Sequence, residues 1–290
     1  MPNLSMNFED KATGTRWYRD PKNPSKTYPG MSGVLGVARK GALEQAKING
    51  VAMYAARHRK DIVTMNQADA YQLLRSIDKV LSDWAIGSAY GTQVHQVVEN
   101  LVDGVAAEFQ VKHVKGSEKY PVSNSWADWI PPLWADFVAR YKVVVLESEK
   151  TVVSDVHRVA GRFDLLVEME LPDAPGERFT AIVDVKSNRK GPMPGVAVQN
   201  KGYASCESIM ELDGTRRPMP IIQRSFVLWL HESPELSDGP AYDVCELRFD
   251  EAMLKLFKAH LTIFYAQMVE GSFIGPSSNP PESFKRWQAW

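Results

Sequence analysis

The chain predicts an α/β protein, and three observations carry that expectation. Apolar residues recur at helical spacing through most of the first 140 residues, β-branched residues then cluster in short runs between 142 and 249, and one amphipathic helix follows the last of these runs. With 290 residues the chain can form one large or two small domains around a core that needs no covalent staples.

The first 30 residues mix acids, bases, Pro and Gly without an apolar stretch, so they read as a partly ordered lead-in, neither a signal peptide nor a membrane anchor. Residues 33–57 are Ala-rich with helical spacing, and a second helix is expected over 67–84. A third, over 88–109, aligns Val94, Val97, Val98, Leu101, Val102, Val105 and Phe109 as one stripe. A segment with a Pro pair, 126–141, makes a helix whose prolines mark a start or kink.

The period then changes. Residues 142–149 form a Val-rich strand, and 159–170 and 179–186 are two more strands divided by LPDAPGE. Helix is expected again over 195–211, strands over 225–231 and 242–249, and a helix over 250–268 that Asp250 caps. The Pro/Ser-rich end reads as a surface tail. The expected organisation is an N-terminal region over 1–85, a core over 86–270 and a tail over 271–290.

Composition removes several functions. Lys and Arg total 34 against 35 Asp and Glu, a net charge of -1, so a nucleic-acid partner has to be held by a local patch instead of a bulk positive field. Two cysteines, Cys206 and Cys245, cannot build a disulfide framework, a four-thiolate zinc site or a four-cysteine iron–sulfur cluster, and a reducing cytoplasm is the expected compartment. No run reaches the roughly 18 uncharged apolar residues of a membrane span. The GxSxG, HExxH, P-loop and GxGxxG signatures are absent from the sequence.

What remains is a pair of acid-bearing strands. Asp184 and Lys186 sit two apart in AIVDVKSN and share a strand face, while Asp164 in GRFDLLVEM is opposite in parity to Phe163, Leu165 and Val167. Asp164 and Asp184 have their midpoint at residue 174, where the turn signal 171–177 is also centred, so an antiparallel hairpin sets them opposite each other. Opposed Cβ atoms lie about 4.5–5.5 Å apart, and two like charges there need compensation. A divalent cation supplies it, with Lys186 one strand period away to orient or deprotonate water or to steady charge on phosphorus.

His95 lies at the border of the third helix's apolar stripe. Glu147 and Glu149 share one face at the end of the Val-rich strand, and parity does not choose between them as a further acid. After Lys186 no acid appears until Glu207, while Arg189, Lys190 and Lys201 accumulate, a basic run suited to a phosphodiester. Gln199 and Tyr203, four apart, share a helix face from which both can hydrogen-bond a phosphate.

Taken in order, GxxxH at Gly91 to His95, an acid near Glu149, GRFD ending at Asp164, DVK at Asp184 to Lys186, and QxxxY at Gln199 to Tyr203 resemble the PD-(D/E)XK nuclease superfamily, in its RecB-like exonuclease branch with phage-encoded and CRISPR-associated members. The resemblance covers about residues 87–210. It implies a restriction-endonuclease-like core, a mixed central sheet flanked by helices, with an added N-terminal helical region. It also implies that His95, Glu149, Asp164, Asp184 and the main-chain carbonyl of Val185 hold Mg²⁺ or Mn²⁺, and that Lys186 is the catalytic lysine alongside Asp164 and Asp184. Gln199 and Tyr203, aided by Arg189, Lys190 and Lys201, would organise DNA. The four cysteines of the cluster-binding relatives have no counterpart, so no iron–sulfur cluster is expected.

The implied activity is metal-dependent exonucleolytic hydrolysis of linear DNA in phage recombination, replication or processing, in the host cytoplasm, with recombination or replication proteins and a homo-oligomer as expected associations. A structure-specific or site-specific endonuclease of the same fold, and a non-catalytic DNA-binding recombination partner, are the alternatives.

Overall fold

The computed structural model describes residues 7–10, 15–37, 40–75, 82–104, 130–187, 195–230 and 242–269. Twelve strands among them form three sheets. β1 (Asn7–Asp10), β2 (Thr15–Arg19) and β3 (Thr27–Pro29) make an antiparallel sheet in that order. β5 (Thr151–Ser154), β6 (Val159–Arg162), β9 (Ser208–Met210) and β10 (Arg216–Pro218) make a second, ordered β10-β9-β5-β6. The central sheet contains β4 (Val144–Ser148), β7 (Leu165–Leu171), β8 (Ala174–Lys186), β11 (Arg224–Leu230) and β12 (Tyr242–Glu246), ordered β12-β11-β8-β7-β4. β8 and β11 run parallel and the other pairs in this sheet antiparallel, so the sheet is mixed.

The helices are α1 (Met31–Gly36), α2 (Lys40–Arg57), α3 (Arg59–Ile62), α4 (Gln67–Arg75), α5 (Ser82–Val102), α6 (Ile130–Arg140), α7 (Gly195–Ala204) and α8 (Glu251–Val269). α5 and α6 pack on one side of the central sheet and α1, α7 and α8 on the other, an α/β arrangement compatible with the restriction-endonuclease-like fold. Leu165, Val167, Ala181, Val183 and Val185 join Val94, Val97 and Val98 of α5 and Trp134 and Phe137 of α6 in one buried cluster. Leu166 and Ile182, of the other parity, join Met31, Val34, Tyr203 and Phe257 from α1, α7 and α8. Strand residues 181–185 are therefore buried on both faces, which is why this stretch reads as a nearly continuous apolar run interrupted by one acid.

Several elements follow the sequence pattern closely. Asp250 accepts the backbone N–H groups of Ala252 and Met253 at 3.0 and 3.3 Å, capping α8. Pro131 and Pro132 fall in the first turn of α6, where a missing N–H costs nothing. α5 stops at Val102, with Gly104 left-handed at φ 68° just beyond it; Val105, Phe109, residues 76–81 and the tail lie outside the described residues.

Three expectations need correction. The described residues of the N-terminal lead-in build the β1–β3 sheet, in which Trp17, Tyr18 and Tyr28 are buried and after which Gly30 bridges to Ala160. The helix over 195–211 ends at Ala204, since Ser208–Met210 pairs with β5 and β10, where Ile209 is buried; tertiary pairing overrides local propensity there. The strand over 159–170 is broken into β6 and β7, which belong to different sheets. No helix among the described residues is long and apolar enough to cross a membrane.

Candidate metal centre

The centre is built where the chain crosses twice between the central and second sheets. Leaving β4, it turns through Glu149 into β5; returning from β6, it turns through Phe163 and Asp164 into β7. The two corners are bonded to each other, Glu149 N donating to Asp164 O at 2.8 Å and Phe163 N to Lys150 O at 3.3 Å. Glu149 adopts φ 51°, the left-handed conformation that ends β4 and turns its carboxylate inward.

The hairpin register is the one the midpoint predicts near the site. Leu165 pairs with Val183 and Leu166 with Ile182, so one step further Asp164 meets Asp184. The turn itself lies at Pro172 and Asp173, earlier than the 171–177 signal suggests, and an irregularity between Met169 and Leu171 restores the register. The Val185 N–H donates to Asp164 Oδ2 at 2.7 Å. Lys186 ion-pairs with Asp184 Oδ2 and donates to the Val185 carbonyl at 3.3 Å, so the ammonium covers the carbonyl expected to ligate metal. Asp184 is 3% exposed; Lys186 touches its Oδ2 at an angle that makes an ion pair but leaves that atom without a well-formed hydrogen bond.

His95, from α5, completes the cluster. Its Nδ1 lies 3.5 Å from both Glu149 Oε1 and Asp164 Oδ1, and ligand atoms of these three residues fall within 4.8 Å of one another. One imidazole nitrogen and two carboxylates, beside a buried Asp184 oxygen with an incomplete hydrogen-bond complement, fit a divalent cation. Glu147 and Glu149 are separated here: a bulge between Val145 and Glu147 breaks the strand's parity, and Glu147 is engaged by Arg217 with Lys150 at 4.0 Å.

The electrostatics describe a charged, metal-free cluster. Burial works against a charged His95, but Asp164's charge and the contacts to Asp164 and Glu149 outweigh it and push the pKa up to about 10. Burial would raise Asp164, yet His95, Lys186 and the Val185 N–H hold it below the ordinary carboxylate value. Asp184 is pushed up to about 6 by burial and then by the Asp164 charge. For Lys186 burial is outweighed by Asp184 and Asp164, so its pKa is raised and it remains an ammonium.

His95, Glu149 and Asp164 border a cleft of about 670 Å³, whereas Asp184 and Lys186 are not among its lining residues. Gln199 and Tyr203 line it, and Gln199 Nε2 donates to Tyr203 Oη at 2.6 Å. Tyr203 packs against Gly161, where an added Cβ would come within 2.4 Å of the ring, so glycine is required for close approach. Lys201 lies 4.1 Å over the Phe249 ring and is not among the cleft-lining residues. Arg189 and Lys190 lie outside the described residues.

Other cleft residues escaped the sequence reading. Arg162, inside the GRFD motif, ion-pairs with Glu149 Oε2 at 2.8 Å and thereby leaves Oε1 to face His95. Arg16 and Tyr18 enter from β2, and their alternation in TRWYR is the signal that a strand presents them on one face.

No protein-family model matches the chain, and no curated protein sequence is significantly similar to it. Among solved structures it is similar to an alkaline exonuclease from Laribacter hongkongensis, with a TM-score of 0.33 and 14% sequence identity over 56% of this chain and 71% of that chain. So low a TM-score leaves too little shared geometry to assign chemistry from the neighbour.

Proposed function

We propose that the protein is a divalent-metal-dependent deoxyribonuclease, acting as an exonuclease that hydrolyses phosphodiester bonds of linear DNA. The convergence of His95, Glu149 and Asp164 beside the Asp184–Lys186 pair carries this reading. Their order along the chain, and the Gly91-to-His95 spacing in particular, supports the end-directed activity of the RecB-like branch. A phage recombination, replication or DNA-processing role belongs to the same reading.

His95 Nδ1, Glu149 Oε1 and Asp164 Oδ1 would hold the ion, with Asp184 on the adjacent strand. When bound, Mg²⁺ or Mn²⁺ supplies Lewis acidity toward a phosphoryl oxygen. Lys186, beside Asp184, stabilises negative charge on phosphorus as a water oxygen bonds to it and the bond to the leaving oxygen breaks, the water giving up a proton to solvent and the leaving oxygen taking one up. Gln199 and Tyr203 offer an amide and a phenol to the substrate backbone from the cleft wall.

The test is end-labelled linear DNA incubated with Mg²⁺ or Mn²⁺. Metal-dependent release of nucleotides is expected, and it should vanish in Asp184→Asn and Lys186→Ala while their melting temperatures show folded protein. Absence of metal-dependent cleavage in the wild type overturns the reading. Cleavage of covalently closed circular DNA would overturn its end-directed part.

A further inference from the structure

The basic run after Lys186 does not account for DNA binding among the described residues: Lys186 is paired with Asp184, and Lys201 lies over Phe249 and does not line the cleft. A second concentration of bases lies elsewhere. Residues 39–60 hold Arg39, Lys40, Lys47, Arg57, Arg59 and Lys60 against the single acid Glu44, leaving 28 bases against 34 acids in the rest of the chain.

This segment occupies a particular place in the fold. The chain leaves the cleft wall in α1, whose Met31 and Ser32 line the cleft, and runs through α2, α3 and α4. It returns in α5, whose Gly91, Thr92 and His95 line the same cleft. α2 packs closely on α3 and on no other described element. Arg57, Arg59 and Lys60 are exposed, and no described carboxylate pairs with them; the nearby Asp61 lies 3.6 Å from His58. A helix of 18 residues is about 27 Å long, the span of about eight base pairs of duplex.

We infer that α2–α4, inserted between the two cleft-lining helices α1 and α5, form an arm that grips the phosphate backbone of duplex DNA through Arg57, Arg59 and Lys60. Charge complementarity selects the occupant: these bases have no described protein counter-charge, and phosphates supply one with release of counterions. The helix is only weakly amphipathic, which disfavours an anionic membrane surface as the partner. The inference takes its ligand from the nuclease reading.

The experiment measures binding of a 20-base-pair duplex by fluorescence anisotropy in EDTA, so that no cleavage enters. It compares wild type with the combined Arg57→Gln, Arg59→Gln, Lys60→Gln protein across a salt series. Each lost phosphate contact lowers the log–log salt slope by about 0.9, so three lower it by about 2.7, and the affinity gap between the proteins shrinks about fortyfold from 50 to 200 mM salt. Arg57→Lys with Arg59→Lys should keep most of the affinity, because the positive charges that contact phosphate are retained. An unchanged melting temperature and Mn²⁺ affinity show that the fold and the cleft are intact. Equal duplex affinity and salt slope for both proteins overturns the arm, as does loss of binding to phosphatidylserine vesicles with duplex binding retained. The nuclease reading stands or falls separately, on metal-dependent cleavage by the wild type and its loss in Asp184→Asn.

Discussion

The backbone N–H of Glu149 donates to the carbonyl of Asp164 at 2.8 Å, tying together the two corners where the chain passes between its central and second sheets. The spacing of the two carboxylates is thus set by main chain, and the side chains need only turn inward to meet His95. A site built this way is held by the fold before any ion arrives.

The left-handed backbone at Glu149, φ 51°, is a conformation that favours glycine. In EDTA, Glu149→Gly should be more stable than Glu149→Ala by about 1 kcal/mol, because both lose the carboxylate but only alanine keeps the penalty of φ 51°. Urea denaturation of the two variants measures the difference; alanine equal to or above glycine would contradict it.

His95 gives the metal-free protein a definite pH signature. Its folded pKa of about 10 lies above the ordinary 6.5, so its stabilisation is fully present below pH 6.5 and is lost as pH rises toward 10. Asp164, held below its ordinary 3.8, contributes above that value and loses its contribution as pH falls. The stability of wild type over His95→Gln in EDTA should therefore be greatest between about pH 4 and 6.5 and decline on the alkaline side. A difference that stays flat from pH 6.5 to 10 would show that the imidazole is not charged by its neighbours.

Asp184 should behave in the opposite sense on substitution. With a folded pKa near 6 against an ordinary 3.8, ionisation costs stability at neutral pH, and the neutral form is favoured below. Asp184→Asn is expected to melt higher than wild type in EDTA at pH 7 to 8 and to show no such gain near pH 4, while losing nuclease activity. A lower melting temperature at both pH values would mean that the pair with Lys186 outweighs burial.

Gly161→Ala tests how the cleft wall is packed. The new methyl would meet the Tyr203 ring at 2.4 Å, and the displacement should cost about 1–3 kcal/mol and pull Gln199 away from Tyr203 Oη. Thermal unfolding and duplex affinity report the two effects, and an unchanged protein in both would show that Tyr203 yields freely.

Much of this was legible along the chain. Strand parity and the symmetry of the 164–184 hairpin put Asp164 opposite Asp184 because side chains alternate with a strict period of two, and the β8–β7 ladder keeps that register up to the site. Parity failed at Glu147 and Glu149, where a bulge and a left-handed residue break the alternation that the argument needs. Parity does not by itself bring Arg16 and Arg162 to the cleft, because their place there depends on how separate sheets stack.

The α/β class, the acid–acid–lysine set and the absence of a bulk positive field follow from local periodicity and composition, which a chain carries wherever it folds. Which glutamate faces His95, which arginine holds it, and where the unpaired bases project were decided by the packing of three sheets and the helical segment between α1 and α5. These are distances between residues far apart in the chain, and only the burial of two sheet faces determines them.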